Sequence, residues 1–489
     1  MKISILFLCF FISSEIAANH IVYPGGSCPV IVQSGKTIDI LYNHSGSSSI
    51  DSIILEGPYN RVILPSDIHT GRFEYDNYTK SAINTKIVAR IPSNTPEELY
   101  DLVVICKQEI SISKKAVKVV KKFREKHRFI HISDPHISRQ WVGTPENGYA
   151  KELELLDRFI EVANIISPDF IIVTGDLIHD YTLINADSLG WGGRSIKAAG
   201  QSPSVEEKYK NYFEGAGGFS GILGFNAPVF STTGNHDFYG IAVNDYPAKS
   251  LQWNRLLGKR VYGFSYGDTR IIASDDFLGD PVLDIPADSP MSGLQGEVLE
   301  TFLTCEGPGK LRIWAKHNPQ QIDTTFVDKH KINLVIDGHS HDPALSYIGK
   351  NNVLNIRPGA VCRSGEIKDW KMKLGFFRIF TINGDTFEYS QPTRFCINPT
   401  AAYNDLQLNL TLHYKHENKG LYKENEALLN NLFDIDLPDC RIRFVMPKGK
   451  YKVSKGSIYQ VIENEKYSVL DVLVDLKAKS FQTIKVSKR

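Results

Sequence analysis

The sequence predicts an α/β layered core between two β-rich regions. Three observations lead there: apolar strands alternate with helical periodicity from Phe129 to about Ser390, strand-and-turn patterning precedes that stretch, and strands dominate again after it. At 489 residues the chain exceeds what one ordinary core serves. The composition shifts divide it into a leader at 1–18, a β region at 19–122, the α/β core at 123–390 and a β-rich region at 391–489.

The leader is read from Lys2, the apolar run Ile3 to Ile12, and the small pair Ala17 and Ala18, a signal-peptide pattern. The run is shorter than the roughly 20 residues needed to span a bilayer. The expected location is therefore secreted or cell-surface associated, with no transmembrane helix beyond the leader. After cleavage six cysteines remain, an even number suited to disulfides, with Cys28–Cys106 and Cys396–Cys440 as the expected staples. Sequons at Asn43, Asn77 and Asn409 fit export.

From Ile21 to Ser113, apolar alternation in Thr37 to Tyr42, Ser52 to Leu55, Thr85 to Arg90 and Leu102 to Cys106 is broken by Gly, Pro, Asn and Ser, which predicts an immunoglobulin-like or fibronectin-like β-sandwich. A lysine-rich stretch, Lys114 to Lys126, reads as a solvated linker or surface strand. In the core, strands are expected at Phe129 to Ser133, Phe170 to Thr174, Val229 to Thr232, Arg270 to Ala273, Leu311 to Ala315, Asn333 to Ile336 and Val353 to Ile356. Leu153, Leu156, Phe159, Ile160, Ala163 and Ile166 recur at helical spacing. In the last region, strands are expected at Leu406 to Leu412, Arg441 to Val445 and Val469 to Leu476, with one helix at Lys423 to Phe433. Charged residues make up 23% and the net charge is +1, so nothing in the overall charge demands nucleic acid or an anionic membrane as obligatory partner.

Five short motifs fall at the ends of predicted strands, where α/β sheets build their sites. They are Asp134-Pro135-His136, Gly175-Asp176, Gly234-Asn235-His236-Asp237, His317 within Lys316-His317-Asn318, and Gly338-His339-Ser340-His341. Carboxylate, imidazole and amide donors without thiolate suit manganese, iron or zinc and argue against calcium. Alternation across Ser340 lets both flanking imidazoles face one cleft.

In this order the series resembles the signature of calcineurin-like metallophosphoesterases, from about Phe129 to Ser390, which implies a layered β-sandwich flanked by helices. Ser292-Gly293-Leu294-Gln295 also resembles a segment these enzymes carry before their fourth motif. The resemblance implies that Asp134, His136 and His341 hold one metal, that Asp176 bridges, and that Asn235, His317 and His339 complete a second site. Two divalent or trivalent ions about 3.5 Å apart repel, and a shared carboxylate and hydroxide offset this while making the hydroxide a nucleophile. His236 would assist the leaving group, with Asp237 either orienting it or capping its own loop. The purple acid phosphatases of this group carry a tyrosine near the place of His179; Tyr181 is out of register, so an iron–tyrosinate pair is not implied.

The expected substrate is a small phosphate mono- or diester, with Phe238 and Tyr239 as candidate cleft residues; in the long segment from Tyr181 to Asn226, Trp191 beside Arg194 reads either as stacking a base or sugar and pairing a phosphate, or as packing under its own loop. The competing expectations are a nuclease of the same superfamily and a cell-surface binding or adhesion protein whose metal centre is structural.

Overall fold

The computed structural model describes residues 20–44, 49–76, 81–107, 109–137, 151–178, 205–238, 253–276, 294–320, 322–362, 374–399, 401 and 403–489. The leader, His179, Trp191, Arg194, Tyr239, the sequon residue Asn77 and Ser292-Gly293 lie outside these residues.

In the first region a four-stranded sheet runs in the order His20–Tyr23, Thr37–Asn43, Ser81–Arg90, Ser66–Asp76. A five-stranded sheet runs Val30–Gln33, Glu109–Val120, Glu98–Cys106, Ser52–Glu56, Arg61–Leu64. Alternation in Thr37–Asn43 sends Ile38, Ile40 and Tyr42 inward, where they meet Ile53, Leu55, Leu102 and Val104 of the other sheet. The lysine-rich stretch is mostly ladder: Glu109–Val120 is a paired strand, and Lys118 within it is buried rather than solvated.

The middle region has four layers. Its first sheet takes the parallel strands Lys126–Ile132, Phe170–Thr174 and Val229–Thr232, closed by the antiparallel Phe376–Asn383 and Thr386–Tyr389. Its second sheet takes Thr269–Ala273, Leu311–Ala315, Leu334–Ile336 and Val353–Arg357 in parallel, with Tyr262–Tyr266 and Ala344–Ile348 as antiparallel edges. Strand parity decides what each face meets. Phe170 and Ile172 point into the apolar layer between the sheets with Ile271, Ile313 and Ile336, whereas Ile171 and Val173 face the Lys151–Ile166 helix through Leu155, Leu156 and Phe159. On the far side, the Leu294–Cys305 and Thr324–Lys329 helices cover the second sheet through Leu299, Leu303 and Phe326 against Trp314 and Val335. Asp323 caps the shorter helix, accepting from Thr325 N and Phe326 N.

The last region is β-rich, but the helix expected at Lys423 to Phe433 is a strand, Glu424–Asn431. It pairs with Leu410–Tyr414 on one side and Ser480–Lys488 on the other. Its Glu, Ala and Leu content favours a helix, yet Asn425, Ala427, Leu429 and Asn431 alternate into the interior, and that period-two burial overrides propensity. A three-stranded sheet, Leu437–Pro447, Tyr467–Leu476 and Ser457–Glu463, completes the region. Its apolar residues join the cluster around the Lys151–Ile166 helix, so this helix is covered on both sides.

The six described cysteines form no disulfide, which corrects the expected staples. Cys28 lies in the layer between the central sheets, while Cys106 Sγ, at the end of a strand of the first region, is 3.2 Å from His44 Nε2. At the Asn409 sequon the side-chain amide donates to Arg394 O (2.8 Å), a bond that a glycan there would have to displace. Among the described residues no helix is long and apolar enough to cross a membrane.

Candidate metal centre

The five motifs sit where the parallel strands end, and their side chains converge. Asp134, His136, Asp176 and His341 offer donor atoms within 4.8 Å of one another, and Asp176 forms a second such group with His317 and His339. Asp176 belongs to both. Asn235, the remaining predicted ligand, joins through its Oδ1, 3.0 Å from His339 Nδ1.

Backbone conformation marks the same residues. Among the described residues twelve non-glycine positions have positive φ, and five of them are Asp134, His136, Asp176, His339 and His341, with φ between 47° and 73°. Left-handed backbone costs on the order of 1 kcal/mol or more per residue, so its concentration on candidate ligands indicates that strain is tolerated to aim them. Gly175, with φ of 78°, allows the close pass of its loop: a side chain there would run into the His317 ring. At Gly338 a side chain would meet Ser133 Oγ and the Thr174 carbonyl.

The donor atoms face one another. His136 Nε2 and His341 Nε2 are 3.0 Å apart, Asp134 Oδ1 is 3.2 Å from His341 Nε2, and Asp176 Oδ2 lies 3.4 Å from His136 Nε2 and 3.2 Å from His317 Nε2. Two imidazole nitrogens and two carboxylates directed into one buried space are a donor set suited to borderline cations, and the residues fit a metal site. Burial alone would raise the Asp176 carboxyl, but His317, His236 and His136 around it pull it far below the usual carboxylate range. Burial would lower His317; Asp176 outweighs it and pushes the imidazole up to about 10. His339 falls to about 4, from burial and from the neighbouring His317.

Surrounding bonds fix these orientations. The Thr174 carbonyl accepts from His317 Nδ1 at 2.5 Å, turning Nε2 toward Asp176. His236 N donates to Asp176 Oδ1 at 2.9 Å, and its ring stands edge-on to His136 with centroids 4.6 Å apart. The hydrogen bonds of Asp237 are those of a loop cap. Its carboxylate accepts from Gly234 N (2.8 Å), Leu177 N (3.1 Å) and Ile178 N (3.3 Å), tying the second motif to the third. Burial, followed by the nearby Asp176, raises it to about 8. Phe238 does not line a cleft: it is 2% exposed and packs on Trp253 and Arg260.

Two carboxylates escaped the sequence reading. Asp276 Oδ2 accepts from His317 N (2.9 Å) and Asn318 N (2.6 Å), while its Oδ1 faces Lys316 Nζ at 3.1 Å, all fully buried or nearly so. Asp275 accepts from Thr233 Oγ1 (2.8 Å), pairs with Arg260 (3.0 Å), and is clamped on its backbone by Gln295, which gives the Leu294-Gln295 segment a role. Their signal was present: Ser274-Asp275-Asp276 directly follows the Thr269–Ala273 strand.

Residues 127–343 match the family model for calcineurin-like phosphoesterases. No curated protein matches the sequence. Among solved structures, PhoD aligns at 10% identity over 78% of this chain and 88% of its own, with a TM-score of 0.42. An amylomaltase from Corynebacterium glutamicum aligns at 13% identity over 32% and 22% (TM-score 0.15), and a putative alpha-galactosidase/melibiase from Bacteroides fragilis at 9% over 94% and 97% (TM-score 0.25). Likeness at these scores carries no inference about fold or activity. Over residues 127–343 the chain is similar to the calcineurin-like phosphoesterases, a family of metal-dependent hydrolases of phosphoric esters.

Proposed function

We propose that the chain is a secreted two-metal phosphoesterase acting on a small phosphate mono- or diester. In this reading Asp134, His136 and His341 hold one ion, Asn235, His317 and His339 hold another, and Asp176 bridges. The observation that carries it is the convergence of donors from five separate strand ends, five of them on left-handed backbone. When bound, ions of the manganese, iron or zinc type supply a deprotonated water and neutralise charge on the ester's phosphate.

The chain's own residues hold and complete that arrangement. Thr174 and Asp276 set the His317 ring and its loop, and Asp237 ties the loop bearing Asn235 and His236 to the loop bearing Asp176. In this reading His236, not needed as a ligand, gives a proton to the departing ester oxygen, which its edge-on contact with the His136 ring supports. Secretion rests on Lys2, the apolar run to Ile12 and the Ala17-Ala18 pair. The two sheets that share one core at the start of the chain support an immunoglobulin-like or fibronectin-like module at 19–122, followed by domains at 123–390 and 391–489.

The test is hydrolysis of p-nitrophenyl phosphate and bis-p-nitrophenyl phosphate by the mature protein after chelation and reloading with manganese, zinc or iron. Turnover should return with metal, and His236→Ala should keep both ions while losing about 10²- to 10⁴-fold in kcat. A protein that binds fewer than two ions, or whose His236→Ala variant turns over at the parent rate, would sink this assignment.

A further inference from the structure

The net charge of +1 hides an asymmetry: residues 448–489 hold ten Lys and Arg against four Asp and Glu. Several of these cations meet at one end of the last β region. Lys488 N donates to Lys423 O (3.2 Å), Arg489 N to Lys450 O (2.9 Å) and Lys448 N to Lys466 O (3.1 Å). The start of Glu424–Asn431, the end of Ser480–Lys488 and the start of Tyr451–Val453 are therefore neighbours in one sheet, with the Lys466 turn beside them. All six of these cationic side chains are exposed, and among the described residues none of them pairs with a carboxylate. Acidic groups at this end are Glu417, paired with Lys419, Glu424, paired with Lys485, and Glu465.

An apolar feature stands at the same end. Gly420, at φ 78°, packs against the Tyr467 ring, and the turn it makes leaves Leu421 69% and Tyr422 44% exposed. The Tyr422 ring is stacked on His416 at 4.4 Å, 18° from parallel, so it is held at the surface. Exposed lysines around a protruding Leu-Tyr pair suit the boundary of a charged bilayer, where cations meet headgroup phosphates and the apolar side chains enter the acyl edge. A soluble polyanion would use the lysines and gain nothing from Leu421. We propose that this end of the molecule docks on an anionic phospholipid surface.

The experiment is co-sedimentation of the full chain with phosphatidylcholine vesicles with and without phosphatidylserine, beside elution from a heparin column. Two variants accompany it: Lys423→Glu/Lys450→Glu/Lys488→Glu and Leu421→Ser/Tyr422→Ser. Aryl phosphate hydrolysis, which these residues do not serve, reports that each is folded. The expected result is phosphatidylserine-dependent, salt-sensitive binding. A lysine near an anionic surface contributes about fivefold, so the charge reversal should weaken binding on the order of a hundredfold or more. The Leu421/Tyr422 variant should bind vesicles measurably less while eluting from heparin unchanged. Absence of vesicle binding by the parent protein overturns the proposal, as does binding that survives charge reversal. Vesicle binding indifferent to Leu421 and Tyr422 overturns the bilayer in favour of a soluble polyanion.

Discussion

Two buried polar centres in this molecule are built on opposite electrostatic plans. Where the three regions meet, around a cavity of about 50 Å³, charges of both signs are interleaved. Asp471 accepts from Arg443 Nε (2.7 Å), Arg441 Nη2 (2.5 Å) and Gln460 (2.7 Å), and Glu97 takes Arg441 and Tyr459. At the end of the central sheets, carboxylates and imidazoles are instead turned toward one another, with nitrogen 3.0 Å from nitrogen, on strained backbone. A balanced centre is complete as folded and joins regions. An unbalanced one that persists despite its cost is arranged for a cation, and the contrast separates the two roles more sharply than burial does.

The largest expected effect tests the unbalanced side. Asp176→Asn keeps an oxygen for the His236 amide but removes the charge shared by both ligand groups. Turnover should fall on the order of a thousandfold or more, and bound metal per chain should drop, while the fold survives. Metal analysis beside circular dichroism separates the two readouts. Asp471→Asn should do the reverse. Leaving Arg441 and Arg443 against a neutral partner should cost about 3–5 kcal/mol in urea unfolding, with the specific activity of the folded fraction unchanged. If Asp471→Asn instead lost activity at full stability, the two centres would not differ in the way described.

A smaller effect is expected from Asp276→Asn, which keeps a hydrogen-bond acceptor for the His317 loop and loses the charge opposite Lys316. Metal affinity should fall about 10- to 100-fold, as changes behind a candidate ligand generally do, and activity should be recovered by excess metal. Lys316→Met in the same chain removes the second buried charge. If that double variant restored stability but not affinity, Asp276 would be acting on His317 itself.

The difference between the centres also explains what could be read in the sequence. The candidate ligands announce themselves because each lies in a short string at a strand end, and Gly234-Asn235-His236-Asp237 is rare even alone. The balanced centre is invisible by the same method: Glu97, Arg441 and Asp471 are far apart along the chain and ordinary in their local context. Lys423 to Phe433 misled because helix propensity is a local property, whereas the burial of Asn425, Ala427 and Leu429 depends on strands contributed from elsewhere. Phe238 was placed in the cleft because it follows the third motif, but a strand-end turn can send its next aromatic into the core, here onto Trp253.

Acid titration distinguishes the centres by the smallest step, about tenfold in metal affinity per pH unit for each proton displaced. In the metal-free protein Asp176 holds the His317 proton up to about 10, so that proton competes with the cation throughout the neutral range, and affinity should weaken steadily as pH falls. The junction responds later. Burial would raise Asp471, but Arg443 and Arg441 hold it below the ordinary carboxylate value, so its folded pKa lies under its unfolded one. Its stabilising contribution is therefore complete above about pH 4 and is lost only as pH drops further, through the folded value. Between about pH 8 and pH 5 the protein should shed metal reversibly with its ellipticity intact, and cooperative unfolding should wait for stronger acid. Simultaneous loss of bound metal and ellipticity at one pH would mean that the ligand cluster, and not the charge-paired junction, is what the fold depends on.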